Sequence, residues 1–82
     1  MLRAEIWQAV ELENGKSKLK HGYWRETADQ DQVKAILDEV AEWETAWIVD
    51  DVNGAHGEIA EAIQVINLMV RRIQHLTGER DA

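Results

Sequence analysis

The feature that most constrains the fold is a long stretch of helical periodicity towards the C-terminus. Apolar residues recur at intervals of three and four over residues 57–77, which is the spacing of one helix face. Acidic residues fall in the first turn and basic residues near the end, as the helix dipole favours, and Gly78 supplies a C-terminal stop. About 21 residues give a helix about 31 Å long, so the remainder of an 82-residue chain must pack around it.

The apolar face of this helix is wide for a small domain, and two interpretations stay open. One is a single broad helix at the core of the domain. The other is a homodimer in which the helix packs against its copy, because excess apolar surface usually finds a partner. The residues assigned to such a dimer interface are Ile59, Ile63, Ile66, Val70 and Ile73.

The N-terminal part of the chain predicts a β-hairpin. Apolar and polar residues alternate over residues 2–12, which is typical of a half-buried strand. Asn14-Gly15 is a preferred centre of a two-residue type I′ turn, and this turn places Glu13 opposite Lys16, where opposite charges attract across the strands. The two predicted strands are residues 2–13 and 16–26.

The middle of the chain predicts one helix and then an ambiguous segment. Thr27 and Gln30 match a capping box, and helical apolar spacing follows, which predicts a helix over residues 28–42. No Gly or Pro stops that helix before Asn53-Gly54, yet the β-branched and aromatic residues after position 42 favour a strand. The pattern alone leaves residues 43–54 open between helix and strand.

Acidic charge is concentrated in the middle of the chain. The net charge is −7, and residues 26–66 alone carry a net −10, against +2 in residues 1–25 and +1 in residues 67–82. A strong negative field repels nucleic acid and attracts basic partners. We therefore expect no direct binding to nucleic acid.

Composition narrows the class and the compartment. The chain has no cysteine, so it has no disulfide framework and no thiolate metal site. No apolar run approaches the roughly 18 residues that a membrane span needs, and the first residues lack the pattern of a signal peptide. We expect a single domain, residues 1–82, in the cytoplasm, with no membrane partner.

Residue types that carry catalysis occur without a recognisable arrangement. The one serine, Ser17, has no base beside it, which argues against a Ser-His-Asp triad. The most ligand-like group is His56 with Glu58 and Glu61, although a solvated histidine is a commoner outcome than a metal site. We expect no enzyme, no catalytic residue, no metal and no cofactor. A nucleotide-processing role for Glu58 and Glu61 is a third, less favoured interpretation.

Residues 14–54 resemble the N-terminal region of ArdA-type antirestriction proteins. The resemblance rests on a tight turn, a His-Gly-x-Trp stretch, a helix with alternating aspartates, and a strand that runs from Trp to Gly. These motifs are Asn14-Gly15, His21-Gly22-Tyr23-Trp24, Asp29-Gln30-Asp31-Gln32-Val33 with Ile36-Leu37, and Trp47-Ile48-Val49-Asp50-Asp51-Val52-Asn53-Gly54.

The resemblance implies a ββαβ unit over residues 1–54, and it assigns residues 45–51 to the third strand. The expected fold class is then α+β, a three-stranded antiparallel sheet with helices over 28–42 and 57–77. Residues 57–78 form a separate apolar-faced helix, the candidate dimerisation element.

ArdA-type proteins mimic DNA, so the resemblance also implies a function. The chain would be a phage or mobile-element inhibitor that blocks the basic groove of a host defence complex, either a type I restriction–modification enzyme or a CRISPR effector. A rigid acidic surface can exchange counterions with that groove as phosphates do. The alternative is a non-catalytic dimeric regulatory module assembled through the C-terminal helix. The predicted partner-binding residues are Asp29, Asp31, Asp38, Glu39, Glu42, Asp50 and Asp51.

Overall fold

The fold is built from helices, as seen in a computed structural model that describes residues 1–79 except for the side chains of residues 20 and 21. In chain order the elements are α1 (Arg3–His21), a 3₁₀ turn (Trp24–Glu26), α2 (Asp29–Ile48) and α3 (Glu58–Leu76). No strand occurs within residues 1–79. The predicted α+β fold is therefore wrong, and the three predicted strands, 2–13, 16–26 and 45–51, lie largely in α1 and α2.

α1 runs straight through the dipeptide that was predicted to turn. At its start the carboxylate of Glu5 accepts a hydrogen bond from the backbone nitrogen of Leu2 at 3.0 Å. Glu13 and Lys16 do pair, at 3.6 Å, but as neighbours one turn apart on a helix rather than across two strands. The segment is rich in Ala, Glu, Leu, Lys and Gln, all good helix formers, and its alternation from residue 2 to 12 does not outweigh them.

α2 includes residues 43–48, the first part of the segment that the sequence pattern left open between helix and strand. The helix begins at Asp29 with Ala28 as its N-cap residue and no side-chain cap, so the predicted capping box is wrong. The carbonyl of Thr27 instead accepts a hydrogen bond from Gln32 at 2.9 Å. The helix then continues to Ile48 because nothing in the sequence interrupts it, and the inward-facing Ala46 is buried there.

A compact loop joins α2 to α3 and reverses the chain. Asp50, the second residue after α2, adopts a positive φ of 59°. The carboxylate of Asp51 accepts a hydrogen bond from the backbone of Gly54, and its carbonyl accepts one from Glu58 at the start of α3. A Cβ atom added to Gly57 would lie 2.7 Å from the backbone nitrogen of Gly54. Glycine at position 57 is therefore what lets the loop close this tightly.

α3 is the central helix. It packs against both α1 and α2, which have little contact with each other, and its bounds lie close to the predicted 57–77. Gly78 follows it with a φ of 82°, the conformation of a helix-terminating glycine. Across residues 1–79, no helix combines the length and apolarity that a bilayer crossing requires.

Two adjacent arginines of α3 form hydrogen bonds that connect it to α1 and α2. Arg71 donates hydrogen bonds to the hydroxyl of Ser17 on α1 at 2.8 Å and to the carbonyl of Gly22 at 2.7 Å. Arg72 donates to the carboxylate of Asp29 at 2.7 Å and to the side chain of Gln32 at 2.6 Å, both on α2. Hydrogen bonds from these two arginines therefore help to hold the helices together, a role that apolar packing has in most small domains.

Gly15→Ala tests whether residues 3–21 form a helix. Nothing lies within 4 Å of a methyl group added at Gly15, and glycine in a helix interior costs about 0.8–1.0 kcal/mol relative to alanine. We expect the substitution to raise the free energy of unfolding by about 0.5–1 kcal/mol, measured by urea denaturation with circular dichroism.

The same substitution in a type I′ turn would destabilise the protein, because that turn needs a positive φ at the glycine. A drop in stability would therefore contradict the helix. Gly57→Ala is the matched control, and we expect it to destabilise because its new methyl group would meet backbone atoms of Val52 and Gly54 at 2.7–2.9 Å.

Candidate functional site

A cleft of about 740 Å³ opens between α1 and α2, with α3 as its floor. It exists because α1 and α2 both pack on α3 and have little contact with each other. Its volume lies in the range of small-molecule sites, roughly 300–1,000 Å³. The lining includes six carboxylates, among them those of Glu39, Glu42 and Glu61, and two cationic side chains, Lys16 and Arg71.

The three glutamates form one cluster. Glu39 and Glu42 are one turn apart on α2 and so share a face, and Glu61 comes from the first turn of α3. One carboxylate oxygen from each residue lies within 4.8 Å of the others. Two oxygens that bind the same Mg²⁺ or Ca²⁺ ion at about 2.1–2.6 Å are separated by at most about 4.2–5.2 Å. The cluster therefore has the dimensions of a divalent cation site.

The burial of Glu61, and the partial burial of Glu39, give a second reason to assign a ligand to the cluster. Glu61 is only 4% exposed. Its Oε1 lies 3.3 Å from Nδ1 of His56, a residue whose ring is otherwise exposed. The Oε2 atoms of Glu61 and Glu39 are shielded from solvent and have no hydrogen-bond partner within residues 1–79. A shielded carboxylate oxygen without a hydrogen-bond donor is costly, and a bound cation would remove that cost.

The electrostatics of the cluster point the same way. Burial, together with the negative charge of Glu42, raises the pKa of Glu39 from its ordinary 4.5 to about 7. Carboxylates held this close repel each other when they are all ionised. A bound divalent cation would offset this repulsion, because it favours the ionised form of every carboxylate around it.

Arg71 adds a buried positive charge to the same cleft. The residue is 1% exposed, and its guanidinium stacks on the ring of Trp24 at 4.9 Å. Its two hydrogen-bond partners are neutral, the Ser17 hydroxyl and the Gly22 carbonyl, and it forms no ion pair with a carboxylate in the described part of the chain. Burial lowers the pKa of Arg71. A buried guanidinium with only neutral partners is suited to an anionic ligand such as phosphate.

The seven acids predicted to bind a partner do not all line the cleft. Asp29 accepts a hydrogen bond from Arg72, and this bond and the arginine charge lower the pKa of Asp29. Asp50 and Asp51 lie beyond the C-terminal end of α2. The four predicted acids that do line the cleft are Asp31, Asp38, Glu39 and Glu42.

The sequence offered a signal for part of this site. Glu39 and Glu42 repeat the spacing of Glu58 and Glu61, and each pair falls on one face of a helix. The structure combines the first pair with Glu61 but leaves Glu58 outside the cluster. The expectation of His56, Glu58 and Glu61 together is therefore met only by His56 and Glu61. No sequence pattern marks Arg71 as part of a site.

Comparison of the chain with protein-family models, with curated proteins and with solved structures found no match. The ββαβ unit implied by the resemblance to ArdA-type proteins is wrong, because no strand occurs in the part of the chain that the structure describes. The inhibitory function implied by the same resemblance stays a prediction. The cleft and its charged residues are thus the basis for assigning a function.

Glu39→Gln tests the repulsion within the cluster. Because the pKa of Glu39 is about 7 in the folded protein and ordinarily 4.5, the folded state binds more protons than the unfolded state between these values. The free energy of unfolding then falls as pH rises through that window. In cation-free buffer, we expect the wild type to lose more thermal stability between pH 4.5 and 8 than Glu39→Gln, which should melt several degrees higher at pH 8.

Thermal denaturation at a series of pH values makes the measurement. Glu44→Gln is the control, since Glu44 is an exposed carboxylate of the same helix and does not line the cleft. We expect its melting temperature to follow that of the wild type at every pH. If the melting temperatures of Glu39→Gln and the wild type changed in parallel with pH, this would contradict the repulsion within the cluster.

Proposed function

We propose that this protein is a divalent-cation-dependent hydrolase that cleaves a phosphoanhydride bond of a nucleoside triphosphate. One observation carries the proposal: carboxylates of Glu39, Glu42 and Glu61 converge to within 4.8 Å in a cleft that also contains the buried Arg71. The sequence alone predicts no enzyme, because it gives no sign of a desolvated pair of carboxylates. The converging glutamates are the reason to revise that expectation.

Charge explains why the ligand would include both a cation and a polyphosphate. A chain of net charge −7 repels a free triphosphate, and the three glutamates repel it further. Mg²⁺ bound to carboxylates keeps coordination positions for water and phosphate oxygens, so it can bridge the two. Arg71 and Lys16, the cations of the cleft lining, are the groups suited to the remaining phosphate charge.

The proposed reaction is the addition of water across a phosphorus–oxygen bond. The oxygen of water bonds to phosphorus, that water loses a proton, and the bridging oxygen leaves with the departing phosphate and its electron pair. A bound divalent cation lowers the pKa of its water and stabilises the charge that develops on phosphate. The protein's part is to hold the cation with three glutamates and to orient the phosphates with an arginine fixed by Ser17 and Gly22.

The proposal is tested by activity and by cation binding in parallel. We expect the full-length protein to release phosphate or pyrophosphate from a panel of nucleoside triphosphates with Mg²⁺ and not with EDTA. Glu42→Gln and Glu61→Gln should each lower that rate at least about 100-fold, because each removes a cation ligand. In the same buffer, Mg²⁺ should raise the melting temperature of the wild type and leave both variants unchanged.

Glu44→Gln is the matched control, a glutamate on the same helix as Glu42 that does not line the cleft. It should keep both the activity and the response to Mg²⁺. Without cation, the two cluster variants should be at least as stable as the wild type, which separates loss of a ligand from loss of the fold. A wild type that neither hydrolyses any triphosphate nor responds to Mg²⁺, Mn²⁺ or Ca²⁺ overturns the proposal.

A second proposal, inhibition by DNA mimicry, is favoured by one specific observation. Asp31, Asp38 and Glu42 are all exposed and lie along one side of α2, where seven residues of helix span about 10 Å. Such a row could face a basic groove that normally binds phosphates.

Charge reversal tests mimicry, and Glu61→Gln separates mimicry from hydrolysis. Replacing Asp31, Asp38 and Glu42 together by lysine should abolish inhibition of a DNA-targeting defence complex, measured as restored DNA cleavage. Glu61→Gln removes a carboxylate that is almost fully buried, so it should leave mimicry intact while it abolishes hydrolysis. If the triple variant still inhibits, the acidic row of α2 is not the interface.

A further inference from the structure

α2 and α3 expose an extended apolar face on the side turned away from the cleft. We call it the seam face. The residues of α3 that form it are exposed or half-buried, with Ile73 at 58% and Leu76 at 65% the most exposed, and Trp47 on α2 is 62% exposed. The members of the seam face are Val33, Val40 and Trp47 on α2 and Ile59, Ala62, Ile66, Met69, Ile73 and Leu76 on α3.

Helical geometry places the seam face opposite the site. Successive residues of a helix are rotated by about 100°, so Ile66 lies roughly half a turn round α3 from the cleft-lining Leu68 and Glu61. Val33 likewise lies almost opposite the cleft-lining Ala35 and Glu42 positions on α2. The hairpin of α2 and α3 thus has a polar side that faces the cleft and an apolar side that faces solvent.

The spacing within the seam face has a period of seven. One row of α3 repeats every seven residues, at Ile59, Ile66 and Ile73. A second row lies three residues after the first, at Ala62, Met69 and Leu76. This is the a and d pattern of a helix that packs along its length against another helix. No charged residue interrupts it on α3.

α2 carries the same pattern. Val33, Val40 and Trp47 are also seven residues apart, with the half-buried Ile36 and Trp43 at the positions three residues later. Glu44 lies beside this row, at a flanking position where coiled coils commonly carry charge. Two antiparallel helices with matching seven-residue seams are half of a four-helix bundle.

We infer that a second copy of this chain covers the seam face, so that α2 and α3 of each protomer form a four-helix bundle with those of its partner. A two-fold interface uses the same patch on both protomers, and the seam face is apolar along both helices, so it suits a copy of itself. Three of the five residues that the sequence assigned to a dimer, Ile59, Ile66 and Ile73, are members of the seam face. The other two, Ile63 and Val70, lie outside it, and none of the five is buried in the protomer.

The available area is sufficient for a stable dimer. α2 and α3 are about 30 Å long, at 1.5 Å per residue for 20 and 19 residues. Two helices packed side by side about 10 Å apart present a strip about 20 Å wide. The strip is therefore about 600 Å² on each protomer, or about 1,200 Å² in total, which exceeds the roughly 1,000 Å² that a specific interface needs.

Charge argues against a membrane as the occupant. α2 and the first half of α3 belong to the acidic part of the chain, since residues 26–66 have a net charge of −10. Amphipathic helices that bind membrane surfaces carry lysine and arginine on their polar face, because cellular membranes are anionic. The polar side of α2 is rich in carboxylates instead, so an anionic bilayer would repel it.

The inference does not rest on the proposed hydrolase function, and its test is the mass of the protein in solution. Light scattering coupled to size-exclusion chromatography should give the wild type twice the 9.4 kDa mass of the chain. Ile66→Glu places a charge in the middle of the seam on both protomers, so it should weaken dimerisation at least roughly 100-fold and give the monomer mass. Leu19→Glu is the matched control, since Leu19 is a 92% exposed residue of α1, and it should stay dimeric.

A second measurement needs no variant. Because a dimer is favoured by concentration, the melting temperature of the wild type should rise over a 100-fold range of protein concentration, whereas that of Ile66→Glu should not. A wild type that has the monomer mass throughout this range overturns the inference, as does an Ile66→Glu variant that stays dimeric. A monomer that sediments with phosphatidylcholine–phosphatidylserine vesicles would assign the seam face to a membrane and overturn it too.

Discussion

The fold depends on two neighbouring arginines of the central helix that bind in different directions. Arg71 reaches α1 through Ser17, and Arg72 reaches α2 through Asp29 and Gln32. Because consecutive residues differ by about 100° around a helix, each arginine fastens a different partner, and α1 and α2 are held to α3 without closing on each other. The cleft is the direct result of this arrangement.

Polar and apolar side chains are distributed unusually between the interior and the surface of this domain. The buried side chains include Glu61, Arg71, Gln32 and Asn67 alongside a few apolar residues, while isoleucines of α3 face solvent. The buried charged residues and the exposed isoleucines are explained together if the cleft holds a charged ligand and a second copy covers the seam face. The acidic cluster and the buried arginine then acquire compensating charges, and the apolar seam leaves water. The two sites lie on opposite sides of α3, so occupation of one leaves the other open.

The error over the N-terminal part of the chain has a physical cause. Residues 2–12 alternate between apolar and polar side chains, which is typical of a strand, and Asn14-Gly15 is a strong local signal for a turn. Contacts with α3 on either side of that dipeptide outweigh it: Gln64 donates to the carboxylate of Glu13 at 2.6 Å, and Arg71 donates to Ser17. Tertiary contacts of this kind routinely override a preference worth about 1 kcal/mol.

The sequence by itself determined α3, whose apolar period, dipole-matched ends and terminal glycine all agree, and it determined that Glu39 and Glu42 share a face. Such features depend on residues within one or two turns of each other. Only the tertiary structure decided that Glu61 joins Glu39 and Glu42, that Arg71 enters their cleft and that residues 45–51 continue a helix into a loop. These outcomes depend on how the loop after α2 reverses the chain and on contacts between residues up to 54 apart in sequence, and no local pattern encodes either.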